Sequence, residues 1–308
     1  MVEGGFWRGV GDAALFMSWI AWILLSSVFL AFYDLSKKAS VRANAVLPVL
    51  LLATAAGTAA YVSALGVAGG IGAALAVSTR ELMLIGVKSV IVATSWVLTY
   101  CALRTLPITI ATPIRASAPA LVFVVAFFLY GEHPTLAQGV GMLLVFAGYW
   151  MFSWAGKHEG IDFLRSHAVW FAVGGMFMSA LSSLWDKLIL QRCAIPVETV
   201  QLWFQIGLVS LYALLLTGQR LLRLRHDAFE WRWSIPATGV LLVAADWLYF
   251  HGLAIPDAPI SAGSLLRRFS VVITFVLGAL LFHERNLKRK GLALAAILVG
   301  VVLLCLKP

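Results

Sequence analysis

Four basic residues of this 308-residue chain, Lys88, Arg115, Arg267 and Arg268, fall inside long apolar stretches. An ionisable side chain at the centre of a bilayer costs about 2.5–3.5 kcal/mol or more, so each must face protein or water. Arg115 and Arg267 are therefore candidates to grip a carboxylate or phosphate bidentately. The alternative is an internal ion pair, or an arginine that snorkels to the interface. At helical spacing Ile260, Gly263, Ser264, Arg267, Ser270 and Thr274 share one small or polar face, suited to a cavity wall or a close helix contact. Arg268 points about 100° away and reads as structural. Asp246 is the deepest acid and the natural partner of Arg267, as a buried pair or a substrate gate. Trp96 and Tyr100 are one turn apart, and Trp247 and His251 repeat that spacing. Such pairs can stack on a planar or cationic ligand, or anchor at an interface. Lys88 is a further cavity candidate. Glu198, Gln201 and Gln205 share a helix face, as cavity wall or as polar glue between helices.

Asp34 and Asp186 each follow a serine by seven residues, Ser27 and Ser179. Desolvated aspartates of this kind, together with Asp246, are proton-coupling candidates. The competing expectation for Asp34 is a local pair with Lys37 or Lys38. Phosphate-binding glycine loops, His-Glu-x-x-His and Gly-x-Ser-x-Gly are all absent from the sequence. Cys101, Cys193 and Cys305 are odd in number and widely spaced, which implies neither a disulfide framework nor a metal site. No cofactor is expected.

The elements that must carry these residues are membrane helices. Apolar residues make up 61% of the chain and charged residues 12%, about half the usual charged share of roughly 25%. So few charges cannot cover a surface that faces water, whereas hydrocarbon needs none. The net charge of +9 sits mostly in short runs between apolar stretches. That is a topology signal rather than a nucleic-acid footprint. Ten stretches are long enough to cross a bilayer, near 14–33, 46–66, 86–103, 108–130, 136–154, 168–190, 199–217, 237–253, 259–282 and 291–306. The first exceeds a signal-peptide core and is expected to be retained. Segment 67–79 extends the second helix or forms a re-entrant piece. The tryptophans of 231–236 (WRWSIP) are expected interfacial anchors.

A shift of 152 positions superimposes rare residues: Asp34 on Asp186, Arg115 on Arg267, Glu132 on Glu284, Gly139 on Gly291 and Gly148 on Gly300. A shift of 151 adds Trp96 on Trp247. Two repeats follow, 1–155 and 156–308. Each has five helices, an odd number, so the second copy enters the membrane from the opposite side. The fold class expected is all-α, with ten transmembrane helices in two inverted five-helix repeats. The loops after helices 1, 3, 5, 7 and 9 hold fourteen Lys and Arg, against five on the opposite side. By the positive-inside rule both termini then lie outside the cytoplasm.

The halves end in related segments, LPITIATPIRASAPALVFVVAFFLYGEHPTLAQGVGMLLVFAG from Leu106 to Gly148 and APISAGSLLRRFSVVITFVLGALLFHERNLKRKGLALAAILVG from Ala258 to Gly300. Each has a proline start, a long helix ending in an acid (Glu132, Glu284), a short polar turn and a glycine-containing helix. In this the chain resembles the drug/metabolite transporter superfamily, with two EamA-type repeats. The resemblance implies transport of metabolites or drugs, with both termini cytoplasmic, against the charge bias. The function expected is a secondary transporter of a small polar or amphipathic metabolite, working by alternating access in the plasma or inner membrane. Buried arginines tilt the cargo toward anions. The rival is a membrane enzyme acting on a lipid or polyprenyl phosphate. Expected partners are a small-molecule substrate and the bilayer, with no nucleic acid. A homodimer is compatible with the pattern.

Overall fold

A computed structural model describes residues 19–116, 118, 135–157, 164–189, 193, 195–223, 227–254, 267–283 and 286–305. Everything regular among them is helical. The helices are α1 (Trp19–Val41), α2 (Val46–Val67), α3 (Ile71–Leu75), α4 (Thr79–Thr105), α5 (Ile108–Ala116) and α6 (Leu136–Lys157). Then come α7 (His167–Lys187), α8 (Val197–Leu221), α9 (Ser234–Ala254), α10 (Phe269–Leu281) and α11 (Leu287–Cys305). Four described helices, within α1, α2, α4 and α8, are long and apolar enough to cross a membrane. Phe32, Phe146, Trp150 and Leu214 expose large apolar surface, as lipid-facing helices do.

Two expected boundaries move. The first span was placed at 14–33, but α1 continues to Val41 through the polar run at 34–40. Part of that run is satisfied within the helix: Lys37 Nζ donates to Asp34 Oδ1 at 2.7 Å, and Ser40 Oγ donates to the Ser36 carbonyl at 2.8 Å. The third span was placed at 86–103, but α4 starts at Thr79. A capping box at Ser78 and Glu81 starts it early. Ser78 N donates to Glu81 Oε2 at 2.7 Å, and Glu81 N donates to Ser78 Oγ at 3.3 Å. Segment 67–79 does not extend the second helix, which ends at Val67. It holds the five-residue α3, whose Ala74 packs with Leu65 of α2 and Leu202 of α8.

The described chain falls into two compact units. One is Met1–Ala93 with Leu184–Ser270, the other Thr94–Ser183 with Val271–Pro308. Each draws on both sequence halves.

In the first unit α1 lies along α9 through a hydroxyl seam. Ser26 Oγ donates to the Ala245 carbonyl at 2.6 Å, Ser36 Oγ to the Ser234 carbonyl at 2.8 Å, and Ser40 Oγ to Ser234 Oγ at 2.8 Å. On the other side of α9, Gly239 meets Gly57 of α2 so closely that a Cβ on Gly57 would sit 3.0 Å from the Gly239 carbonyl oxygen. The segment entering α9 is tied to the α1–α2 turn. Asn44 Nδ2 donates to the Glu230 carbonyl at 2.8 Å, and Glu230 N donates back to Asn44 Oδ1 at 2.9 Å. Arg232 Nη1 donates to the Ala39 and Arg42 carbonyls at the end of α1, both at 2.7 Å, filling acceptors that a helix end leaves open. Trp231 and Trp233 stay exposed.

In the second unit α6 packs on α11 through glycines and branched aliphatic side chains. A Cβ on Gly148 would meet Ile297 Cγ1 at 2.5 Å and the Ala293 carbonyl oxygen at 2.9 Å. A Cβ on Gly300 would meet the Gly141 carbonyl oxygen at 2.5 Å and Val145 Cγ2 at 2.8 Å. Adding 152 to 141, 145 and 148 gives 293, 297 and 300, so the repeat shift maps this contact onto itself. Numbers rise along one helix as they fall along the other, so the pair is antiparallel. An isologous contact of this kind is what a two-fold relation produces. The second unit also joins α4 to α7, where Ser95 Oγ donates to the Gly175 carbonyl at 2.8 Å.

Candidate functional site

Alanine spacing opens the site. Ala60 and Ala64 of α2 and its C-cap Ala68 recur every fourth residue, and Ala244 of α9 lines the same space. Small side chains at i and i+4 leave a groove along one helix face. The result is a cavity of about 540 Å³ within the first unit, walled by α2, by the first turns of α8 and by α9. Its walls are mainly aliphatic. Its polar groups are Tyr61 and Ser63 of α2, Glu198 and Gln201 of α8, and Asp246 and His251 of α9. Among the described residues no Lys or Arg lines it.

The aromatic edge of the cavity is built on α9. Trp247 lines it together with His251, one turn on, and the two ring centroids are 4.0 Å apart at 38°. His251 Nδ1 lies 2.9 Å from the Trp247 carbonyl oxygen, as a donor in the matching tautomer, which fixes the imidazole against the helix. Trp22 of α1 abuts Trp247 edge-on at 5.8 Å. Asp246, beside Trp247 in sequence, is held by Arg267 through a short ion pair from Nη2 to Oδ1. The Arg267 guanidinium also covers the Tyr249 ring at 4.2 Å. Both members of the pair are about a quarter exposed.

Of the residues nominated from sequence, Asp246, Trp247 and His251 meet at this cavity, and Arg267 joins them through Asp246. Glu198 and Gln201 line it, while Gln205, one turn further along α8, is buried and is not among the lining residues. Lys88 lies well inside α4, not at its start, with Nζ 4.8 Å from the Phe204 ring. Trp96, Tyr100 and Arg115 belong to the second unit and are not among the lining residues. Asp34 is 1% exposed and pairs with Lys37, whose Nζ also sits 4.4 Å from the Tyr33 ring. The Asp186 side chain lies outside the described part, as do Glu132, Glu284 and the start of the expected ninth span.

Three contributors escaped the sequence argument. Trp22, Tyr61 and Tyr249 gave no repeat signal. Tyr61 did carry one clue, as the lone aromatic in the alanine-rich α2.

Comparison with known proteins agrees with this architecture. A solved crystal structure matches with a TM-score of 0.60 at 18% identity, covering 92% of this chain and 95% of the other. At that identity the likeness concerns fold. Among curated proteins none matches the chain. The profile of the EamA-like transporter family matches twice, over residues 17–154 and 166–306. Two matches that fill almost the entire sequence, on a chain of long apolar helices, make this protein a multi-pass membrane protein belonging to the EamA-like transporter family, within the drug/metabolite transporter superfamily.

Proposed function

We propose that the chain is a secondary transporter that carries a small amphipathic metabolite across the plasma or inner membrane by alternating access. The observation that carries this reading is the cavity of about 540 Å³, walled by α2 from the first half of the sequence and by α8 and α9 from the second. A site built by two halves can be opened to either side when one half rocks against the other. The α6–α11 contact, self-related under the repeat shift, supports an inverted arrangement of the halves 1–155 and 156–308 in ten spans. The sequence holds no ATP-binding motif, so a gradient or exchange supplies the work. Asp246 with Arg267 is the first candidate for coupling, since protonation of the aspartate would release the arginine. Asp34 and Asp186 follow.

The rival enzyme on a lipid phosphate needs a cation facing its substrate. Arg267 is instead engaged by Asp246. Arg115, Trp96, Tyr100, Lys88 and Gln205 remain candidates for substrate contacts outside the cavity described. A second copy of the chain is compatible with the reading but is not needed to form the cavity.

The test is transport in liposomes containing only this protein, with a panel of amino acids, amines, organic acids and nucleosides, with and without a proton gradient. Accumulation of at least one class supports the reading, and movement of none overturns it. The charge bias predicts a reporter fused after Pro308 to be extracytoplasmic.

A further inference from the structure

We infer that the cavity selects a cationic amine carrying a flat apolar body, and that Glu198 is the residue that recognises its charge. This rests on the cavity being the transport site proposed above. The argument is one of charge and shape. Two carboxylates line the cavity, Glu198 and Asp246, and among the described residues no Lys or Arg does. Arg267 balances Asp246. Glu198 sits in the first turn of α8, two residues after the N-cap Pro196. It is exposed. A carboxylate so placed is available to a ligand, and an ammonium group is its complement.

The remaining wall fits the rest of such a ligand. Trp247 and Tyr61 line the cavity together with the acids, and aromatic rings attract cations as well as flat apolar groups. Aliphatic side chains of α2 and α9 complete an apolar slot, and a slot of this kind with a few convergent polar groups is the usual form of a small-molecule site. The anionic cargo expected from the buried arginines finds no Lys or Arg among the described residues that line the cavity. Gln201, next to Glu198 on the same face, can accept a second hydrogen from the amine through its amide oxygen.

The test uses one indole body with three heads: tryptamine (cation), tryptophol (neutral) and indole-3-acetate (anion). Binding to the purified full-length protein is measured by thermal shift and calorimetry at neutral pH. Tryptamine is expected to bind roughly tenfold or more tighter than the other two. Glu198→Gln should weaken tryptamine roughly tenfold and leave tryptophol within about twofold. Glu198→Asp should recover part of the loss. An unchanged melting temperature of each ligand-free variant shows that it folds. The inference is overturned if indole-3-acetate binds most tightly, if none of the three binds, or if Glu198→Gln leaves tryptamine binding unchanged. Transport separates the two proposals. Tryptamine bound but not moved in liposomes, along with the rest of the panel, sinks the transporter reading alone. An acid moved by a protein that ignores tryptamine sinks this inference alone.

Discussion

The α1–α9 and α6–α11 contacts each join a helix of the first sequence half to one of the second, yet they are held in opposite ways. Hydroxyls bind α1 to α9, through Ser26, Ser36, Ser40 and Ser234. Glycines and branched aliphatics bind α6 to α11, through Gly148, Gly300, Val145 and Ile297. In hydrocarbon, apolar side chains gain nothing from leaving the solvent, so helices associate by close packing or by hydrogen bonding. The protein uses each where it suits. The dry contact joins two equivalent helices, α6 and α11, and repeats itself. The polar contact joins helices that are not equivalent under the repeat, and α9 turns another face to the cavity. A ligand site demands directional groups nearby, and the hydroxyl seam fixes the helix that bears them.

The hardest test of this contrast is at glycine. Gly148→Leu and Gly300→Leu should each lower stability by about 1–3 kcal/mol, the usual range for overpacking. The two losses should be alike, because each new side chain strikes a carbonyl oxygen and a branched side chain at equivalent positions. Thermal unfolding in detergent measures both, and a clear inequality would break the equivalence of the two helices. Gly239→Leu should do at least as much harm, since the obstruction at α2 is backbone.

Next in size comes the ion pair on α9. Arg267→Ala should damage transport more than Arg267→Ala combined with Asp246→Asn. The single change leaves a carboxylate in the cavity wall without its arginine, and losing one partner of a sheltered pair costs more than losing both. Initial rates in liposomes decide it. A double variant worse than either single would show that each residue acts independently of the other.

The smallest effects belong to the hydroxyl seam. Ser26→Ala and Ser36→Ala should each cost about 0.6 kcal/mol, the mean for hydrogen bonds between membrane helices. Losses beyond roughly three times that figure would mean that the seam, rather than close packing, dominates α9.

Much of this was legible in the sequence, for definable reasons. Composition exposes lipid-facing helices because hydrocarbon excludes charge. Rare residues expose the repeat because Asp, Arg and Gly recur there by ancestry rather than by hydropathy. The Asp246–Arg267 pair could be guessed because deep charges need partners. What stayed hidden was set by contacts that periodicity does not encode. The polar end of α1 reads as a loop because Asp34 and Lys37 pair, and Ser40 reaches the Ser36 carbonyl, only once the segment is helical. The early start of α4 depended on reading Ser78 with Glu81. The lining by Tyr61 followed from alanines elsewhere on α2, a matter of missing volume rather than present chemistry. Trp96 was grouped with Trp247 by the repeat, but equivalence in sequence does not place two residues at one site.

The self-related contact of α6 and α11 has a historical side. When two copies of one segment meet through the same residues, a change in that segment strikes both faces at once. Once the copies are encoded separately, each face drifts alone and the other can answer it. Val145 opposite Gly300 and Ile297 opposite Gly148 differ by a single methylene, as do Gly141 and Ala293. These small departures from identity mark a contact free to become lopsided while still constrained to close.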